Sequence, residues 1–134
     1  SMNLAQPTVK TFLGCGPNAQ FAGFTSLPVP KNSSLLSADV ICPRQVMVGN
    51  DELIYFVDGT WVREINVSED TVKTILGKGF KNVPGGLECP VGLSMDSSYN
   101  LYVADVGGSI IRKGQDGELK RFDFEGKKNR CMLV

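Results

Sequence analysis

The sequence predicts an all-β protein made of repeated four-stranded units, a segment of a β-propeller. Three observations carry that prediction. The stretch Thr71-Val72-Lys73-Thr74-Ile75-Leu76-Gly77-Lys78-Gly79 repeats Thr8-Val9-Lys10-Thr11-Phe12-Leu13-Gly14-Cys15-Gly16, with changes only at Phe12 and Cys15. Cys42-Pro43 returns as Cys89-Pro90, and Ile54-Tyr55-Phe56-Val57-Asp58 returns as Leu101-Tyr102-Val103-Ala104-Asp105, both 47 residues later. A fixed period of this length marks a propeller or solenoid built from one supersecondary unit. Finally, 15 glycines and 7 prolines in 134 residues suit short strands joined by many turns.

The fullest repeat runs over residues 42–77. Val46-Met47-Val48 reads as a short apolar strand, and Gly49-Asn50-Asp51-Glu52 as the turn that follows. Residues 53–57 are apolar without alternation, as in a strand covered on both faces. Asp58-Gly59 is a hairpin signal, because glycine tolerates positive φ and aspartate can cap the turn. Residues 60–65 alternate, placing Trp61, Arg63 and Ile65 on one face. Residues 66–70 turn the chain into a fourth strand at 71–76, rich in β-branched side chains. The second repeat follows the same plan, with strands at 91–95, 101–104, 109–113 and 118–124. Four short antiparallel strands make one blade.

These strands divide the chain into a tag or linker at 1–7, a fourth strand of a preceding blade at 8–16, and a connector at 17–41. Blade one follows at 42–79, a connector at 80–88, blade two at 89–126 and a tail at 127–134. The first fourth-strand copy lies 63 residues before the second, so the connector at 17–41 carries 16 residues beyond the period. It is either a loop bearing a binding surface or a longer surface excursion. Ser1-Met2 reads as a cloning scar, which makes the chain an excised piece.

The units resemble the NHL-repeat family of β-propellers. The resemblance rests on Cys89-Pro90-Val91-Gly92-Leu93-Ser94-Met95-Asp96, Asn100-Leu101-Tyr102-Val103-Ala104-Asp105, Ile110-Ile111-Arg112-Lys113, and the two fourth-strand copies. It covers most of residues 8–126. Blade one departs from it: if Arg63 matches Arg112, the turn at Gly59-Thr60 is two residues shorter than its counterpart. Propellers close with four to eight blades. Two blades and a strand leave a flat face of ~250 Å² at each end, and exposing it forgoes about 6 kcal/mol per face. Further blades or self-association must cover those faces.

Bulk composition sets limits. Apolar residues at 42% and charged residues at 21% are ordinary for a soluble domain, long enough to bury roughly two-thirds of its unfolded surface. Fourteen basic and fourteen acidic side chains balance, which gives no strong nucleic-acid signal. The sequence contains no histidine, the commonest general base and zinc ligand. Enzymes of the NHL-like propellers, such as the lyase of peptide amidation and the strictosidine-synthase and lactonase relatives, lean on channel histidines and acidic residues. The resemblance therefore carries no catalytic, cofactor or metal residue onto this chain.

Asp58 and Asp105 recur at equivalent turns, as caps in preference to channel or cation ligands. Arg63 and Arg112 recur as partners of acidic or backbone groups. Cys42 and Cys89 recur at the same place in the two repeats, which reads as small buried thiols rather than a disulfide, and their spacing fits no zinc site. Asn32-Ser33-Ser34 and Asn66-Val67-Ser68 are glycosylation triplets. Cys131-Met132-Leu133-Val134 has the form of a prenylation box behind Lys127-Lys128-Asn129-Arg130, but Val is an unusual last residue. Cys131 is thus the one candidate modification site, and a membrane partner follows only if that box is real.

No cofactor is expected. The reading that these features favour is a non-catalytic module that binds a protein partner, within a larger scaffold or signalling protein. The alternatives are a fragment of a propeller hydrolase or lyase with its catalytic residues on other blades, and an RNA- or sugar-binding propeller in which Trp61 or Tyr99 stacks on a ring.

Overall fold

The computed structural model describes residues 9–14, 29–79 and 87–123. Strands β1 (Pro43–Val48), β2 (Leu53–Asp58), β3 (Trp61–Asn66) and β4 (Thr71–Gly77) pair in that order as blade one. Strands β5 (Pro90–Met95), β6 (Leu101–Asp105), β7 (Ser109–Lys113) and β8 (Leu119–Asp123) pair in that order as blade two. Every neighbouring pair is antiparallel. The described residues thus form an all-β pair of like sheets.

Local chemistry explains the boundaries. Gly59 turns β2 into β3 at φ 62°, and Tyr99 takes φ 62° in the β5–β6 turn. Gly77 ends β4 at φ 137°, where an added Cβ would lie 2.5 Å from Trp61 Cδ1 and 2.5 Å from Thr60 O. Only glycine admits the Trp61 ring there. That ring is 2% exposed, and its Nε1 donates to Lys78 O at 2.8 Å.

The register corrects one equivalence read from sequence. Asp58 faces Trp61 across β2–β3, whereas Asp105 faces Ser109 across β6–β7. The blade-one connection therefore holds Gly59 and Thr60, and the blade-two connection holds Val106, Gly107 and Gly108. The difference is one residue, not two. A shift of one residue reverses the face a side chain occupies. Arg63, opposite Phe56, stands where blade two has Ile111 opposite Val103, and Arg112, opposite Tyr102, stands where blade one has Glu64 opposite Tyr55. Arg63 and Arg112 are not counterparts.

Two apolar clusters hold the structure. Between the blades, Tyr55, Val62 and Leu76 of blade one meet Leu101, Val103 and Ile111 of blade two, with Leu87 beside them. Each such aliphatic side chain contributes about 1.5–3 kcal/mol when fully buried. On the opposite face of blade one, Phe56, Ile65 and Val72 pack against Leu35 and Ala38, with Leu13 and Val40 at the margin. The unbroken apolar run of β2 follows from this: Tyr55 serves one cluster and Phe56 the other.

The described part of the connector is therefore packed rather than a free excursion. Ser33 bridges Val72 of β4, and residues Leu35–Ser37 make a 3-10 turn. Residues 9–14 show no strand; Val9 is fully exposed, and Gly14 N–H donates to Leu35 O at 2.9 Å. A strand needs a neighbour to complete its backbone hydrogen bonds, and no described strand pairs with these residues. The rest of the expected strand, at 8 and 15–16, lies outside the described residues.

Candidate functional site

The recurrent aspartates hold the frame. Asp58 Oδ1 accepts from Ile41 N–H at 2.9 Å and Cys42 N–H at 2.6 Å. Asp105 repeats this, Oδ1 accepting from Cys89 N–H at 2.7 Å and Oδ2 from Glu88 N–H at 3.2 Å. Each carboxylate, at the end of the second strand, pins the chain entering the first. They are backbone caps, as the turn reading expects, although the amides they satisfy belong to the strand entry.

Blade one adds a buried ion pair. Arg63 Nη1 lies 3.2 Å from Asp58 Oδ2, and both side chains are fully buried. Nη1 also donates to Asp39 O at 3.0 Å, while Nε and Nη2 find no hydrogen-bond partner. Burial pulls the guanidinium below its ordinary value, opposed by the charges of Asp58 and Asp39. An ion pair sealed this way is a structural clamp, out of reach of any substrate.

Three clefts bear on these residues and on the faces of the blades. At the aspartate end of the blades, Cys42, Arg44, Gly59, Thr60 and Cys89 line a cleft of about 240 Å³. The two cysteines are free thiols and half-buried, which corrects the expectation of fully buried positions: each precedes its strand, where no sheet covers it. Arg44 Nη2 donates to Gly59 O at 2.8 Å and to Pro90 O at 3.4 Å, and lies 3.8 Å from Cys89 Sγ. The side chain straps the two blades together.

At the opposite end, the β1–β2 and β5–β6 turns frame a cleft of about 190 Å³. Asp51, Tyr55, Glu64, Tyr99, Lys113 and Gln115 are among its lining. Burial, and then Glu64, drive the Tyr55 phenol well above its ordinary range. Asp51 and Glu52 hold positive φ in the first turn and Tyr99 in the second, so three non-glycine residues with left-handed backbone meet at this edge. The third cleft is an apolar groove of about 470 Å³ on the outward side of blade one, between Phe12, Val46, Ile54 and Phe56.

No described residue covers the outward face of blade two. Tyr102, Ala104 and Ile110 are partly exposed there, with Phe122 37% exposed. Lys120 Nζ and the Arg112 guanidinium lie 5.2 and 5.8 Å from the Phe122 ring centroid. Sequence reading missed these cations as a pair, because Arg112 was matched to Arg63.

Among the described residues no three of His, Cys, Asp and Glu gather around a potential metal position. Trp61 is buried and Tyr99 exposed, so of the two proposed stacking rings only Tyr99 reaches a surface. In the glycosylation triplets, Asn32 Oδ1 accepts from Thr74 N–H at 3.1 Å, and Asn66 Oδ1 from Glu69 N–H at 3.1 Å. Cys131 and the box that ends at Val134 lie outside the described residues.

Comparison with known proteins places the fold. No protein-family model and no curated protein sequence matches the chain. Solved structures do. Selenomethionine-substituted virginiamycin B lyase from Staphylococcus aureus aligns with a TM-score of 0.53 at 12% identity, covering 74% of this chain and 32% of that one. A catalytically inactive virginiamycin B lyase from Staphylococcus aureus, with quinupristin, aligns with a TM-score of 0.53 at 13% identity and the same coverage of 74% and 32%. The chain thus spans about a third of the length of these lyases. They are β-propellers, and the two sheets described here are two blades of that fold.

Proposed function

We propose that the chain is an NHL-like arc of a larger propeller and serves as a non-catalytic module that binds a protein partner. The observation that carries this reading is the fate of the recurrent charges. Asp58 and Asp105 are consumed by strand-entry amides, and Arg63 is sealed against Asp58. What the blades offer outward is the turn edge with Asp51, Tyr99 and Gln115, a mixed polar and aromatic rim of the kind protein partners use. Further blades, or copies of this chain, cover the outward face of blade two. The test is affinity capture with the intact parent protein, wild type against a Tyr99→Ala, Gln115→Ala double variant. A partner retained by the first and lost by the second is expected. Retention of nothing, together with turnover of a small substrate, overturns the reading.

A second reading, a fragment of a propeller lyase, draws on the likeness to virginiamycin B lyase. Likeness at 12% identity carries the fold alone, so the test must be chemical. Incubating the intact parent protein with quinupristin is expected to leave the compound unchanged by liquid chromatography with mass spectrometry; its conversion to a new species would put the lyase reading first.

A further inference from the structure

We propose that Cys42 and Cys89 are a redox-sensitive thiol pair that closes into a disulfide across the junction of the two blades. Equivalent positions of the two repeats bring both cysteines to one cleft, where both are free and half-buried. Arg44 supplies a fixed cation. Its Nη2 is held by Gly59 O at 2.8 Å and lies 3.8 Å from Cys89 Sγ. Thr60 lines the same cleft, and its buried Oγ1 has no hydrogen-bond partner. A partly exposed cysteine beside a guanidinium is placed as reactive thiols are, whereas inert structural cysteines sit sealed in apolar surroundings. The same guanidinium repels a metal cation held between the sulfurs, which puts oxidation ahead of soft-metal binding.

The oxidant is a hydroperoxide, represented by hydrogen peroxide. The Cys89 sulfur attacks one peroxide oxygen, the O–O bond breaks, and a sulfenic acid and one water result. Arg44 Nη2, 3.8 Å from Cys89 Sγ, stands ready to donate to the new oxygen on sulfur. The Cys42 sulfur then attacks Cys89, an S–S bond forms, and the sulfenic hydroxyl leaves with the Cys42 proton as a second water. Two thiols and one peroxide become one disulfide and two waters, the peroxide taking up two electrons. Closure requires the two Cα atoms within about 7 Å, and any approach of Cys42 and Cys89 works against the amide bonds by which Asp58 and Asp105 hold them.

The experiment uses the chain carrying Cys15→Ser and Cys131→Ser, so that Cys42 and Cys89 are the remaining thiols. After exposure to hydrogen peroxide and tryptic digestion without reductant, mass spectrometry is expected to find peptide 32–44 joined to peptide 82–112, lighter by two hydrogens than their sum. With Cys42→Ser the link disappears and dimedone traps a sulfenic acid on Cys89. With Cys89→Ser, Cys42 is not trapped faster than free cysteine. Arg44→Gln, confirmed folded by circular dichroism, slows trapping at Cys89 several-fold. Absence of the joined peptide in the folded chain overturns the pair. Equal trapping at Cys42 and Cys89, or an unchanged rate in Arg44→Gln, overturns the assigned roles.

Discussion

The two blades share a skeleton and differ in what covers them. Blade one is sandwiched: its inner face meets blade two, and its outer face meets Leu35 and Ala38 of the connector. Among the described residues blade two is covered on its inner face alone, and its burial alternates along β6, with Leu101, Val103 and Asp105 buried and Tyr102 and Ala104 partly exposed. The aspartate caps are the same in both. The lesson is that the repeat encodes the hydrogen-bonded frame, while side chains between the caps are fitted to whatever lies against each face.

The sharpest way to break this contrast is to place one charge at equivalent positions. Val62, opposite Leu76, corresponds to Ile110, opposite Phe122. Val62 is fully buried between the blades, so Val62→Glu desolvates a carboxylate with no partner. The expected loss exceeds about 4 kcal/mol, a large share of a domain's stability. Ile110→Glu, on the outward face, is expected to cost less than about 1 kcal/mol in the isolated chain. Urea denaturation checks both. A large loss from Ile110→Glu would mean that copies of the chain already cover that face.

The buried ion pair comes next. Asp58→Ala strands Arg63 in the interior and leaves two strand-entry amides unpaired, for an expected loss of about 3–5 kcal/mol. Arg63→Ile gives blade one the residue that Ile111 supplies in blade two, and Asp58 keeps its two amide donors as Asp105 does. Removing the cation leaves the buried Asp58 charge uncompensated, but the two amides that Asp58 keeps offset part of that, so a loss of about 1–3 kcal/mol is expected, smaller than for Asp58→Ala. If Arg63→Ile costs as much as Asp58→Ala, the pair stabilises blade one rather than merely being tolerated there. Gly77→Ala ranks between them, at about 3 kcal/mol, because its Cβ would press on Trp61 in a left-handed backbone. The corresponding position in blade two is Asp123, opposite the small Ser109, whose hydroxyl donates to it at 2.6 Å.

How much of this the sequence disclosed depends on the kind of signal. All eight strands were legible, because apolar runs and β-branched residues stand between Gly, Asp and Asn turns. The caps were legible as turn aspartates, because short carboxylates recur beside Gly59 and Gly107. Counting residues placed Arg63 against Arg112, because one extra residue in a turn leaves the spacing pattern almost intact yet reverses the face. The Cys42 and Cys89 cleft was half legible: recurrence marked the positions, but their exposure depends on how the blades splay at the strand entries. The packing of Leu35 and Ala38 on blade one carried no periodic signal, so a core element read as a loop.

The smallest expected effect concerns the turn ends. Blade two has Asp96 where blade one has Gly49, 47 residues earlier. Asp96 Oδ1 accepts from the Ser98 and Asn100 amides at 2.9 Å each, and Oδ2 from Asn100 Nδ2 and the Tyr102 hydroxyl at 3.0 Å each. These bonds, led by the Asn100 side chain, hold its carboxyl down to about 2. At Gly49 an added Cβ would lie 2.6 Å from Tyr55 Cε2, so blade one cannot build the same hub. A carboxyl whose folded value lies below the unfolded value near ~3.9 stabilises the fold fully at higher pH. That contribution fades as pH falls from about 4 toward about 2. The difference in urea midpoint between the wild type and Asp96→Ala is therefore expected to shrink across that window, with the NMR titration of Asp96 centred near 2. A titration centred near 4 would show that the hub does not hold in solution, and the two turns would then differ in sequence but not in electrostatics.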